Sequence, residues 1–145
     1  MNVLKYRKID ISLVGFIYAL FTLIMTSTFT KRIERETRPW GEYFVIDQGE
    51  CFKVKRITVY PGGRLSLQYH NYRSEHWTIV SGIGFVKIGN KNIIIGPNES
   101  VYIDKKEIHT IENKENNELV LIEVQHGKIL KENDIVRISD IYGRL

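Results

Sequence analysis

The stretch from Gly62 to Gly82 carries three metal-binding residue types at short spacing. Gln68, His70 and Glu75 follow the order Gln-x-His-x4-Glu within eight residues. In an extended segment Gln68 and His70 point to the same side, and a short turn could bring Glu75 back to that side on a neighbouring strand. His109, which begins another alternating segment, is the best candidate for a fourth ligand. The sequence therefore predicts a metal site built from these four residues.

The expected ligands are an amide oxygen, two imidazoles and one carboxylate. This mixed nitrogen and oxygen set suits a borderline divalent ion, so we expect zinc first, with manganese or iron(II) as alternatives. With Gln68 as a neutral ligand, one or two positions are left for water or substrate, as a catalytic metal requires. The competing interpretation is that these histidines are ordinary hydrogen-bonded strand residues. However, His70, His76 and His109, three of the four histidines, fall in the two segments that a small barrel would bring together.

Short strands are the elements that would position these side chains. Runs with a two-residue alternation are separated by Gly, Pro and Asn turns, and they predict an all-β fold, an antiparallel sandwich or barrel. A short helical turn is expected in the tail, 128–145. The predicted strands are 42–47, 52–60, 64–70, 75–80, 85–88, 92–95, 100–103, 109–113 and 118–125.

The N-terminal part of the chain is apolar and then charged. Nineteen residues without a charge run from Ile11 to Phe29, with basic residues on both sides. That length suits a helix crossing a hydrocarbon core of roughly 30 Å, so a membrane anchor is one interpretation. The other is a mis-assigned start, since Met25 lies inside the segment. We expect an apolar extension over 1–30, a linker or short helical turn over 31–37, and a folded domain over 38–145.

Composition narrows the classes of partner. A hydrophobic content of 43% with 26% charged residues is typical of a globular protein. The formal charge of +4 is modest, and the later region has no basic stripe with interleaved aromatics, so we expect no nucleic-acid partner. The single cysteine, Cys51, excludes an internal disulfide.

Several motifs resemble a known family. Gly62 to Gly82 is similar to the first cupin motif, with Gln68 in place of its first His, and Asn98 to Asn113 resembles the second. More narrowly, five runs resemble the C-terminal isomerase domain of type II phosphomannose isomerases. These runs are RPWGEY, QYHNYRSEHW, NESVYI, IEVQHG and DIYGR, and they extend in order from Arg38 to Arg144.

The resemblance implies a fold and an activity. The fold would be a cupin double-stranded β-helix, or jelly roll, and the activity a metal-dependent interconversion of mannose 6-phosphate and fructose 6-phosphate in the cytoplasm. Arg73 and Arg144 would bind the substrate phosphate and take part in catalysis, because a guanidinium can bind two phosphate oxygens. A homodimer is compatible with this reading, and membrane attachment through Ile11 to Phe29 stays open. Guanylyltransferase activity is not expected, since no Gly-rich nucleotide loop is found.

Two points stay open at this level. Glu123, Lys53, Lys55 and Lys87 are all candidates for the catalytic base, whereas His76 should face away from Glu75 on its strand. The activity also has alternatives, namely a sugar-binding or metal-binding cupin module without turnover, or another cupin enzyme such as an epimerase or an oxygenase.

Overall fold

The computed structural model of the chain describes residues 34–144, which form eleven β-strands and one 3-10 turn, Glu132–Asp134. The strands are β1 (Glu34–Arg38), β2 (Gly41–Gln48), β3 (Phe52–Val59), β4 (Leu67–His70), β5 (Arg73–Ser81), β6 (Gly84–Ile88), β7 (Lys91–Ile95), β8 (Ser100–Ile103), β9 (His109–Glu112), β10 (Leu119–Gly127) and β11 (Ile135–Ser139).

Two antiparallel sheets share one apolar core. The first sheet has the strand order β1-β2-β3-β10-β5-β8, and the second has the order β11-β4-β9-β6-β7. Both sheets supply core residues, such as Trp77 and Ile79 of β5 and Val86 and Ile111 of the second sheet. The all-β architecture predicted from the two-residue alternation is therefore confirmed over the residues that the structure describes.

The interior of this sandwich is apolar at one end and polar at the other. In the pairing of β10 with β5, Leu121 lies opposite Ile79, and four residues further along β10 Gln125 lies opposite Glu75. All four side chains are buried, and so is Lys55 of β3, which extends the polar half. Because side chains alternate along a strand, residues two or four apart share the inward face. Along each of these strands the inward residues change from apolar at one end to polar at the other. The chemistry must lie at the polar end.

The charged segment predicted as a linker or helical turn over 31–37 is a strand from Glu34 onward. Strand β1 pairs with β2 along its full length, with Glu36 opposite Tyr43. The Arg35 guanidinium lies 2.6 Å from the Glu42 carboxylate across the pair. The linker prediction is wrong over 34–37, because backbone pairing with β2 and the cross-strand ion pair between Arg35 and Glu42 stabilise a strand that has no apolar residue.

The C-terminal tail contains more regular structure than its sequence indicates. The expected short helical turn is present as Glu132–Asp134, but the following residues form β11, which pairs antiparallel with β4. Its run of Ile, Val, Arg, Ile and Ser has no clear apolar alternation. This segment is a strand because it pairs with the edge of β4. This strand adds a wall to the polar half of the interior.

The predicted apolar segment, Ile11 to Phe29, lies outside the described residues. Over 34–144 there is no helix with the length and apolar character needed to span a membrane.

Two glycines test how tightly the first sheet packs. Gly62 and Gly82 both have positive φ, +74° and +84°, but a Cβ at Gly82 would lie 2.6 Å from the Glu118 carbonyl oxygen, whereas a Cβ at Gly62 would meet nothing within 4 Å. We expect Gly62→Ala to lower the free energy of unfolding by about 1 kcal/mol through backbone strain alone. Gly82→Ala should lower it by about 2–4 kcal/mol, because overpacking adds to the strain.

Urea denaturation of both variants measures this difference. Equal losses in the two variants would contradict the close approach of the Gly82 turn to the start of β10.

Candidate metal centre

Three predicted ligands converge inside the polar half of the sandwich. His70 ends β4, Glu75 lies on β5 and His109 begins β9. The Nε2 atom of His70 is 3.1 Å from Oε1 of Glu75, and Nε2 of His109 is 3.7 Å from Oε2 of the same carboxylate. One ligand atom from each residue can be chosen so that all three lie within 4.8 Å of one another. The three side chains are fully buried, so the cluster is an interior feature and not a surface group.

Hydrogen bonds to backbone carbonyls orient both imidazoles. The Nδ1–H of His109 donates to the carbonyl of Glu107 at 2.8 Å, and Nδ1–H of His70 donates more weakly to the carbonyl of Asp134 at 3.4 Å. Nε2 is therefore the ring nitrogen that each histidine directs at Glu75, and contacts of this kind at the other ring nitrogen typically orient metal-binding histidines. The Nε2 of His109 is buried and has no hydrogen-bond partner within the described part of the chain. The residues present therefore fit a divalent ion.

Gln68 lies beside this cluster. It is opposite His109 in the pairing of β4 with β9, so the two side chains share one face of the sheet. Its Oε1 accepts a hydrogen bond from the Ser66 hydroxyl at 2.7 Å, which leaves a second lone pair on that oxygen. The predicted role of Gln68 as a ligand stays a prediction.

Glu75 is ionised at the centre of a donor network. Its carboxylate accepts hydrogen bonds from Arg73 Nε at 3.0 Å, from Trp77 Nε1 at 3.2 Å and from Gln125 Nε2 at 3.4 Å. Burial raises the pKa of Glu75, but the hydrogen bond from His70 and the nearby positive charges outweigh burial and hold the pKa well below its usual range. A permanent negative charge therefore sits between the two histidines.

Glu123 provides a second buried carboxyl with the opposite behaviour. Its oxygens accept from Trp77 Nε1 at 3.1 Å and from Gln125 Nε2 at 2.7 Å. Burial, followed by the negative charge of Glu75, raises the pKa of Glu123 to about 7, although the positive charge of Lys55 opposes the shift. Two carboxyl groups with separated pKa values are a common arrangement for acid and base chemistry.

A cavity opens beside these carboxyl groups. Gln68, Glu75 and Glu123 form part of its wall. The cavity has a volume of about 50 Å³. A sugar phosphate can therefore enter only if side chains at its mouth move apart. Five cations line this cavity, namely Arg38, Lys55, Arg73, Arg137 and Arg144.

The two predicted phosphate-binding arginines both line the cavity, but each already has a carboxylate partner. Arg73 is fully buried and bonds Glu75 through Nε, and its Nη1 donates to the carbonyl of Lys131 at 3.1 Å. Arg144 lies 2.5 Å from Asp140 through Nη2 and donates a second bond through Nε at 3.0 Å. The structure therefore brings both predicted residues to the cavity without leaving either guanidinium free.

The structure also sorts the candidate bases. Glu123 and Lys55 line the cavity, whereas Lys87 lines a separate surface groove and His76 is exposed on the outer face of β5. Sequence reasoning missed Gln125, although the two-residue period of the strand could have found it. Gln125 lies two residues after Glu123 and four residues after Leu121, so all three side chains share the inward face of β10.

Comparison with known proteins finds one matching family and several similar proteins. Residues 27–140 match the family described as mannose-6-phosphate isomerase C-terminal. The chain is 48% identical over 115 residues to the mannose-1-phosphate guanylyltransferase of Escherichia coli K12, covering 79% of this chain and 24% of that protein. It is 48% identical over 107 residues to the alginate biosynthesis protein AlgA of Pseudomonas aeruginosa, covering 74% and 22%. The chain thus spans about a quarter of the length of these relatives.

Solved structures support the fold. A protein with a double-stranded β-helix domain from Klebsiella pneumoniae aligns with a TM-score of 0.63 at 13% identity, covering 72% of this chain and 90% of that one. KdgF from Halomonas aligns with a TM-score of 0.62 at 10% identity, covering 70% and 94%. At such low identity these structures show the fold alone, and they confirm the predicted cupin jelly roll.

A matched pair of histidine variants tests the metal centre. His109 points into the cluster and His76 points to solvent. We expect His109→Ala to weaken zinc binding by roughly 100-fold or more, since even the loss of an outer contact to a ligand typically costs 10–100-fold. His76→Ala should bind zinc like the unmodified chain.

Calorimetric titration of the full chain with zinc gives the comparison. Equal affinities for the two variants would contradict the site, and no binding by the unmodified chain would leave Arg73 as the cation that neutralises Glu75.

Proposed function

Because the chain belongs to the family of mannose-6-phosphate isomerase C-terminal domains, we propose that it interconverts mannose 6-phosphate and fructose 6-phosphate with a divalent ion. The observation that carries this proposal is the buried convergence of His70, Glu75 and His109 beside a cavity lined by cations. The proposal is confined to the isomerase activity for which the family is described, since the chain spans about a quarter of the guanylyltransferase that it matches.

Four residues of this chain would hold the ion. They are the three members of the buried cluster and the neighbouring amide, His70, Glu75, His109 and Gln68. We expect zinc, with manganese or iron(II) as alternatives, because the ligand atoms are mixed nitrogen and oxygen. When bound, such an ion supplies Lewis-acid polarisation of a carbonyl group. The carbonyl hydrogen bonds on His70 and His109 keep the two imidazoles pointed at the ion.

Glu123 is the proposed catalytic base. Isomerisation moves one proton from C2 of the aldose to C1 of the ketose, and a single carboxylate can accept it at C2 and return it at C1. Glu123 lines the cavity, and Trp77 and Gln125 fix the orientation of its carboxylate. A pKa of about 7 lets this group exchange a proton near neutral pH.

Arg73 and Arg144 are proposed to bind substrate from two sides of the cavity. Arg73 lies deep, against Glu75, and also holds that carboxylate in place. Arg144 lies with its partner Asp140 and also contacts the ring face of Tyr142, 5.3 Å from the ring centroid. Because both guanidinium groups are already paired, each would share its charge between its carboxylate and the substrate. The proposed substrate is a cytoplasmic metabolite, and a homodimer stays a prediction.

The direct test is a coupled assay of mannose 6-phosphate conversion with the full chain. Activity should be present with zinc, lost after treatment with a chelator, and restored by adding metal. His70→Ala should abolish it and His76→Ala should retain it, because His70 faces Glu75 whereas His76 faces solvent. Metal-loaded protein that binds the sugar phosphate without turnover would contradict the proposal and support a binding module.

A charge-neutral variant tests the base. Glu123→Gln should lower kcat by roughly 10²–10⁴-fold, the usual contribution of a general base. The matched change Glu118→Gln, at an exposed position just before β10, should have no effect.

The pH profile of the unmodified chain gives a second readout. The base acts ionised, so the rate should rise with pH to a plateau, with a midpoint at or below about 7. The positive charge of a bound ion near Glu75 favours the ionised form and moves the midpoint down. Full activity of Glu123→Gln would assign the proton transfer to another group.

A further inference from the structure

We propose that Arg137 is the principal phosphate-binding residue of this cavity, an inference that rests on the proposed function and adds a residue to it. Sequence motifs point to Arg73 and Arg144 for this role. The structure adds a third guanidinium, that of Arg137, which lines the same cavity and differs from the other two in its charge partners.

Strand β11 places Arg137 on the inner side of the second sheet. In the pairing of β11 with β4, Arg137 lies opposite Gln68, and Gln68 in turn lies opposite His109 of β9. Directly opposed residues on neighbouring strands project to the same face. Arg137 therefore belongs to a row that ends at the metal cluster, and it lines the same cavity as Gln68.

The charge of Arg137 is the one in the cavity wall without an acidic partner over residues 34–144. Its Nε atom is buried and makes no hydrogen bond there. The other four cations of the wall each meet a carboxylate. These pairs are Arg38 with Glu36, Lys55 with Glu132, Arg73 with Glu75, and Arg144 with Asp140.

A buried donor without a hydrogen-bond partner destabilises a folded protein, so a ligand that accepts a hydrogen bond from it gains binding free energy. A phosphate monoester carries close to two negative charges at neutral pH and offers several acceptor oxygens. The planar guanidinium matches two of them at once. The paired cations of the wall cannot offer a whole unshared charge, and Arg137 can.

The spacing also suits a hexose phosphate. Neighbouring strands lie about 4.8 Å apart, so the two steps from β9 through β4 to β11 span on the order of 10 Å. The carbonyl end of the sugar can then lie near His109 and Gln68 while the phosphate reaches Arg137. Arg137 thus selects a phosphorylated sugar over a neutral one.

The test compares Arg137→Gln with Arg56→Gln, a change at an exposed arginine on the outer face of β3. Binding of mannose 6-phosphate and of inorganic phosphate to the full, zinc-loaded chain is measured by calorimetry. We expect Arg137→Gln to weaken both by about 10- to 100-fold, the usual effect of losing hydrogen bonds to a charged group. Arg56→Gln should change neither.

Two further measurements separate a binding role from a structural one. In Arg137→Gln the KM for mannose 6-phosphate should rise much more than kcat falls, and weak binding of unphosphorylated mannose should not change. Arg137→Lys should recover part of the affinity, because a lysine supplies the charge but not the paired geometry. The Arg137→Lys variant also allows phosphate affinity to be measured if Arg137→Gln does not fold.

The outcomes distinguish this inference from the proposed function. Unchanged phosphate affinity in Arg137→Gln and Arg137→Lys, or no phosphate binding by the unmodified chain, would overturn the role of Arg137, whatever the turnover. Phosphate binding that depends on Arg137 in a chain without turnover would uphold the phosphate site and overturn the isomerase.

Discussion

The rest of the site depends on the ionised carboxylate of Glu75 and on the pairing that keeps it charged in the interior. A buried charge is stable only when it is paired and hydrogen-bonded, and Glu75 meets this condition through His70, Arg73 and Trp77. Its negative charge attracts a cation, and it adds to burial in raising the pKa of Glu123. A single buried acid thus links the ligand set, the candidate base and the arginine at the bottom of the cavity.

The sandwich can hold this charge because its interior is divided along the strands. On β5 the polar residues come first and the apolar residues follow, and on β10 the order is reversed. Antiparallel pairing brings like halves together, so Trp77 and Leu121 mark the boundary between them. The apolar half supplies the burial that stabilises the domain. The polar half can then carry side chains that would otherwise destabilise it.

The local sequence pattern predicted most of the strands and the ligand candidates. The remaining strands depend on pairing between segments that are distant in the sequence. The alternation in β3 and β5, the turn glycines and the spacing of Gln68, His70 and Glu75 gave the all-β fold and the ligand candidates. The strand character of β1 and β11 could not be predicted, because neither has an apolar alternation and both take their conformation from the strand with which they pair. The free charge of Arg137 was hidden for the same reason, since only the pairing of β11 with β4 turns that side chain inward.

The indole of Trp77 has a further consequence. Its single N–H is shared between two carboxylates, one on Glu75 and one on Glu123, and its ring lies edge-on to His109 with centroids 5.4 Å apart. The electronic transitions of an indole respond to the local electric field. Any event that alters either acid or the imidazole changes that field at a chromophore sealed from solvent. The domain therefore carries an intrinsic optical reporter at its chemical centre, one of only two tryptophans in the chain.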